Sequence, residues 1–216
     1  MSVGAVLASI QVGRIAPIGP DGVPSGFVKH GIDHDVAVGT LGLAGDEQAD
    51  LTVHGGPDKA VYGYAAAHYP LWAAAFPALA DRFRAGSMGE NLTIDGLDED
   101  AICVGDVHAI GDALLQVCQP RQPCFKLALA FGEPRIGKAM VKAGRSGWYY
   151  RVVREGRIAA GAPVLLADRP NPGFAFSRMV SIVNFGGASR DEAEALATMA
   201  GVAANIAARA RAGLTA

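Results

Sequence analysis

Apolar and polar positions alternate over short distances through most of this chain. The pattern breaks every few residues at glycine, proline or aspartate. Such punctuation predicts many short strands. An apolar run over 2–11 predicts the first. Gly105-Asp106 and Gly111-Asp112 bracket Val107-His108-Ala109-Ile110, with a further apolar run, 113–118, directly after. That is hairpin chemistry. The aromatic and β-branched run 148–153 predicts another strand, which turns back at 154–157 and is continued by 158–159 and 163–166. Many short strands at regular spacing favour a closed or nearly closed barrel over a parallel sheet. One helix is predicted within this region, over 68–76, where the sequence is alanine-rich. Pro70 suits its first turn and Pro77 ends it.

The period changes after Arg169-Pro170-Asn171-Pro172-Gly173, which is linker chemistry. Apolar residues then recur at helical spacing over 174–185 and stop at Gly186-Gly187. Ser189 followed by Glu192 is a capping box that opens a helix through about Met199. A third helix spans 202–211 and is ended by Gly213. The predicted organisation is mainly β with α: a barrel domain over 1–168, then a small three-helix domain over 174–213. Three short helices bury little by themselves, so they are expected to pack onto the barrel.

Composition narrows the function classes. Half of the 216 residues are hydrophobic, the net charge is −2, and no basic run points to a nucleic-acid partner. The first residues lack a basic region followed by a long apolar one, and no apolar run is long enough to span a bilayer, so a cytoplasmic location is expected. Cys103, Cys118 and Cys124 form no Cys-x-x-Cys pair and do not read as a disulfide or zinc framework. No Gly-x-Gly-x-x-Gly follows a strand, so a nicotinamide or flavin site of that kind is not expected.

Three stretches carry candidate chemistry. The first is Gln119-Pro120-Arg121-Gln122-Pro123-Cys124-Phe125-Lys126. Two prolines stiffen the backbone around Cys124, and Arg121 and Lys126 favour the thiolate that attacks electrophiles or ligates metals. A lone cysteine is ordinarily a small core residue, and this is the competing reading. The second stretch, 45–62, holds Asp46, Asp50, His54, Asp58 and Lys59. Gly55-Gly56-Pro57 forces a tight turn after His54 and predicts an anion-binding nest, with Lys59 adding charge. The bland alternative is a polar hairpin in which Asp46 and Asp58 cap turns. The spacing of Asp46, Asp50 and His54 admits a metal reading only on a helix, and Leu51-Thr52-Val53 prefers strand. The third stretch is Gly89-Glu90-Asn91-Leu92-Thr93, where Glu90 and Asn91 either form a turn or line a pocket.

Together these stretches resemble the MOSC domain, the module named after the C-terminal part of molybdenum cofactor sulfurases. The matching elements, in order, lie at 45–62, 89–93, 105–106, 120–124 and 146–152. The tail resembles the three-helix (3-alpha) domain of the YiiM-type subgroup. The resemblance implies a distorted β-barrel in which Cys124 ligates molybdenum of a pterin cofactor. It further implies reduction of N-hydroxylated bases or related small molecules. The alternative it leaves open is a sulfur or cofactor carrier that uses a Cys124 persulfide without turnover of its own. A phosphate- or nucleotide-binding barrel using the Gly55-Gly56 turn is a third class. Beside Cys124, the candidate pocket residues are His54 as proton donor, Asn91 as orienting group, and Arg121 and Lys59 as anion holders. His34 stands where the subgroup commonly carries a pocket lysine. Pyridoxal phosphate is not expected. Electrons are expected from a separate reductase, since three scattered cysteines cannot hold an iron–sulfur cluster. No nucleic-acid or membrane partner is expected, and a homodimer is left open.

Overall fold

The computed structural model describes residues 4–50 and 54–214. Thirteen strands are present among them: β1 (Val6–Val12), β2 (Ala16–Ile18), β3 (Val23–Ser25), β4 (His30–Ile32), β5 (Val36–Gly39), β6 (Gly42–Leu43), β7 (Val61–Ala65), β8 (Leu92–Asp95), β9 (Val107–Ile110), β10 (Ala113–Pro120), β11 (Trp148–Arg154), β12 (Gly156–Ile158) and β13 (Val164–Asp168). Eight of them form one sheet in the order β13-β9-β10-β11-β7-β8-β1-β4, and only the β7–β8 pair is parallel. The predicted hairpin is β9–β10, with Ala113 opposite Ile110.

The sheet curls until its β13 end reaches β1. Leu7 N–H donates to Ala162 O at 2.9 Å, Gly161 N–H to Leu7 O at 2.8 Å and Val164 N–H to Ala5 O at 2.9 Å. The start of β1 is thereby stitched to the residues leading into β13, and the result is a distorted barrel rather than a regular one. Alternation puts Leu92 and Ile94, Leu115 and Val117, and Trp148 and Tyr150 inside, and a register irregularity between Leu7 and Ser9 lets Leu7 and Ile10 join the same fully buried cluster. A β-strand that places every second residue on one face generates such a core from the observed pattern.

Six helices complete the structure: α1 (His68–Ala75), α2 (Phe125–Phe131), α3 (Ile136–Ala143), α4 (Phe176–Phe185), α5 (Arg190–Thr198) and α6 (Ala204–Leu214). The chain is thus mainly β with α. The capping box is present, with Ser189 Oγ accepting from Glu192 N–H at 3.2 Å and Glu192 returning a bond to Ser189 N–H at 2.7 Å. Phe176, Met179, Leu196 and Ile206 join the barrel's own hydrophobic cluster, so α4–α6 pack directly on it.

Two expectations are corrected. The β-rich region contains α2 and α3 as well as α1. Both end on a glycine in the left-handed conformation, Gly132 (φ 64°) and Gly144 (φ 67°), whose N–H groups bond back to the last turn. Leu127, Phe131, Ile136 and Met140 bury there against Tyr62, Tyr64 and Trp72, and tertiary packing decides the helix. Gly213 does not end the last helix, which runs to Leu214.

Candidate functional site

One open cleft, of about 600 Å³ with its mouth included, gathers most of the candidate chemistry. Its walls come from the loops around 25–29 and 46–49, from His54 and Lys59, from Gly89 and Asn91 ahead of β8, from the end of β10 with the start of α2, and from Tyr62 of β7 and Tyr149 of β11.

Cys124 stands on this wall, half-buried, in extended backbone (φ −107°, ψ 170°) just ahead of α2. The stiff link predicted from its two prolines therefore joins the end of β10 to the first turn of α2. Cys103 and Cys118 are buried, and burial pushes both thiols up. Cys118 Sγ–H donates to Asp58 O at 3.1 Å, inside the core.

Arg121 is only 6% exposed, yet it faces the cleft. Its guanidinium carbon lies 5.9 Å from the Phe27 ring centroid and 5.6 Å from that of Tyr62, and Nη1 donates to Met140 Sδ at 3.4 Å. No carboxylate among the described residues forms an ion pair with it. A buried cation held by aromatic faces and sulfur has a large unmet demand for negative charge. Lys59 and Lys126 line the same cleft, and Lys126 Nζ donates to Pro24 O at 3.0 Å.

His54 is part of the wall, with its N–H bonded to Asp50 O at 2.9 Å. Burial lowers its pKa, the charges of Lys126, Lys59 and Arg121 lower it further, and Asp50 acts against them. The imidazole is therefore neutral at neutral pH. The expected nest is not on the wall. Gly56 takes the left-handed turn (φ 92°) that leads into a 3-10 turn at Pro57–Lys59, and of this loop only the flanking His54 and Lys59 line the cleft.

Asn91 lines the cleft but spends its amide inside the protein. Oδ1 accepts from Tyr62 N–H at 3.1 Å, and Nδ2 donates to Gln11 O at 3.3 Å and Asp46 Oδ2 at 2.9 Å. It braces Asp46, which also accepts from Gly13 N–H at 2.8 Å and pairs with Lys29 Nζ. Asp46 is thus no turn cap: it joins three distant segments beneath the cleft floor. Asp58 is none either. It pairs with Arg151 (Nη2–Oδ1 2.6 Å) and accepts from Ala204 N–H at 3.0 Å. Both carboxylates are drawn into long-range contacts by buried or half-buried cations, which a turn motif does not reveal.

His34 is not in the cleft. It is exposed and lies beside its neighbour Asp33, at 3.4 Å, on the loop that leaves β4 for the small β12-β5-β6 sheet. Lys29, five residues earlier, supplies the amine instead. Its side chain is 6% exposed, and burial lowers its pKa against the opposing pull of Asp46 and Glu90. Ser25-Gly26-Phe27-Val28-Lys29 puts this lysine four residues after a serine, ahead of the stretch expected to place His34 in the pocket. Tyr62 and Tyr149, also on the wall, lie inside the motifs at 45–62 and 146–152, where strand alternation alone accounts for an aromatic residue. Glu90 is fully buried and accepts from Met88 N–H at 3.0 Å and from Tyr69 Oη–H, so it holds the turn rather than the cleft. Gly89 (φ 82°) does face the cleft, and a Cβ there would lie 2.8 Å from the Phe27 ring that covers Arg121.

Among the described residues no three His, Cys, Asp or Glu side chains gather as a metal-ligand set. Residues 51–53, expected as strand between Asp50 and His54, lie outside the described residues.

The MOSC domain family model matches residues 50–165. Protein YiiM of Escherichia coli (strain K12) is 45% identical over 150 residues, which is 69% of this chain and 67% of that protein. The crystal structure of YiiM from Geobacillus stearothermophilus superposes with a TM-score of 0.80 at 32% identity, covering 97% of this chain and 99% of that one. A Gibberella moniliformis protein named "Reductase" is 38% identical over 169 residues, 77% of this chain but 30% of that longer protein. No helix among the described residues is long and apolar enough to cross a membrane. The curled barrel, the site loop and these matches agree: the chain belongs to the MOSC domain family.

Proposed function

We propose that this chain is a molybdenum-cofactor-dependent reductase of N-hydroxylated bases and related small molecules, with Cys124 as the protein's sulfur ligand. The observation that carries it is the pairing of a reachable thiol with a buried, carboxylate-free Arg121 on one cleft wall. A soft donor beside an anion cradle suits a metal carried by an anionic, sulfur-bearing organic ligand. The family's association with the molybdenum cofactor and the fungal relative's name support the same reading.

The residues present fit such a group. Cys124 ligates the metal, and Arg121, Lys59 and Lys126 balance and hold anionic oxygens. Lys29 stays tied to Asp46 and fixes the floor. When bound, molybdenum would supply the two-electron chemistry for cleaving an N–O bond. The chain's own part is to orient, to exclude water with the aromatic wall of Phe27, Tyr62 and Tyr149, and to provide a proton from His54 to the departing oxygen.

A pH profile follows from the charge on His54. An anion seated among these cations restores the imidazole's affinity for a proton, so its pKa in the complex lies above that in the empty cleft. The proton-donating form is then present below that complex pKa, and turnover is lost as pH rises through it. His54→Gln is expected to lower turnover about 100-fold and to flatten that alkaline limb. Rate measurements against pH with a saturating chemical reductant check this, and an unchanged limb in the variant removes His54 as the proton source.

The test of the function itself is metal and pterin analysis of protein produced in a cofactor-competent host, followed by dithionite-driven reduction of an N-hydroxylated base. Stoichiometric molybdenum with turnover is the expected result. Labile sulfane sulfur on Cys124 without turnover establishes the carrier reading instead.

A further inference from the structure

The stretch that follows the site loop concentrates the chain's positive charge. Residues 121–145 hold six arginines and lysines against one acid, in a chain whose net charge is −2. Arg121 is committed to the cleft. Arg135, Lys138 and Lys142 are exposed, and Lys138 and Lys142, four residues apart, share one face of α3. Arg135 is paired with Glu133 (Nη2–Oε2 2.7 Å), and Lys142 borders a separate depression that also contains Asp98 and Asp100. Lys138 is the cation that neither of these offsets.

An open groove runs between α2 and α3, lined by Pro123, Phe125, Ala128, Pro134, Lys138 and Val141. Cys124 also lines it, so the same residue borders the anion-holding cleft and this groove. Lys138 is the groove's only charged lining residue among the described ones. Phe125, directly after Cys124, is 62% exposed. An unshielded aromatic ring with a cationic rim, one residue from the reactive group, has the make-up of a transient docking centre.

We propose that this face docks an acidic iron–sulfur electron-carrier protein of the ferredoxin type, which delivers electrons one at a time across the Cys124 wall of the cleft. The proposal rests on the reductase reading. Reduction of R–NH–OH to R–NH2 and water consumes two electrons and two protons, so two reduced carriers are each oxidised by one electron per turnover. The chain's three cysteines are too few and too scattered to hold an iron–sulfur cluster of its own. Attraction between the uncompensated Lys138 and an acidic carrier steers the encounter and favours a short-lived complex.

The test uses cofactor-loaded protein and, as probe, a purified acidic [2Fe–2S] ferredoxin kept reduced by its own reductase. Lys138→Glu and Phe125→Ala both replace exposed side chains, and thermal melts check that the fold is retained. The expected result is a KM for ferredoxin raised about ten-fold in Lys138→Glu, with a flatter dependence of rate on salt than in the parent. Calorimetric affinity for oxidised ferredoxin falls in step. Phe125→Ala weakens binding without changing the salt slope. Molybdenum content and dithionite-driven turnover stay at the parent's values. Unchanged ferredoxin KM and affinity in both variants overturn the proposal. So does an equal loss with dithionite, which makes the groove part of the substrate site. Parent protein that holds no molybdenum, or does not turn over with dithionite, defeats the reductase reading and the proposal with it.

Discussion

Cys124→Ser is expected to lose molybdenum and turnover together while the protein stays folded. A serine hydroxyl is a hard, weakly acidic donor and does not replace a thiolate on a soft metal centre. Cys124 is only half-buried, and its side chain packs into no core cluster, so the stability change stays within about 1 kcal/mol. Cys103→Ala and Cys118→Ala provide the contrast. Both keep the metal, and Cys118→Ala loses about 1–2 kcal/mol because its sulfur fills the core and donates to Asp58 O. Metal content, chemical-donor turnover and melting curves on the three variants check this. Full turnover in Cys124→Ser refutes metal ligation by that residue.

Asp46→Ala is expected to be the most destabilising change near the cleft. It strands the buried Lys29 ammonium, the Asn91 amide and the Gly13 N–H at once. Removing one partner of a buried ion pair costs about 3–5 kcal/mol, or a fall in Tm of about 10 °C for a chain this long. The double variant Asp46→Ala/Lys29→Met is expected to recover part of that loss, because no charge is left unpaired. A Tm for Asp46→Ala within 2 °C of the parent, judged against the roughly 10 °C expected, contradicts the bridging role. Proton linkage at Lys29 has a defined sign as well. Its folded pKa lies below the usual lysine value, so the unfolded chain binds more protons in the alkaline window between the two. Protonation there favours unfolding, and this penalty fades as pH rises through the unfolded value.

The strand-rich half was legible because its signals are local. Gly111-Asp112 between two alternating runs dictates the β9–β10 hairpin whatever surrounds it. The Ser189–Glu192 capping box is equally self-contained. Helices α2 and α3 were not legible as helices. Their apolar residues suit a buried strand as well, and the deciding signals, Gly132 and Gly144 just past each end, are weak beside abundant glycine elsewhere. At the site, Cys124, Arg121, His54, Lys59 and Asn91 reach one cleft because each lies in a compact motif. Sequence spacing failed at His34. A motif position was read as a spatial one, and the chain instead directs His34 outward and brings in Lys29 from before β4. Nor could spacing show that Asn91 is fully occupied by its neighbours, since Gln11 and Asp46 are distant in sequence.

Asp58 sets a schedule for the newly made chain. The turn that carries Lys59 is fastened by Arg151 from β11 and by the first N–H of α6, Ala204, 146 residues further on. At ribosomal speed those residues emerge on the order of ten seconds after Asp58 itself. Until then one wall of the cleft lacks its last fastening. This wall of the cleft is therefore completed only once the start of α6 has been made.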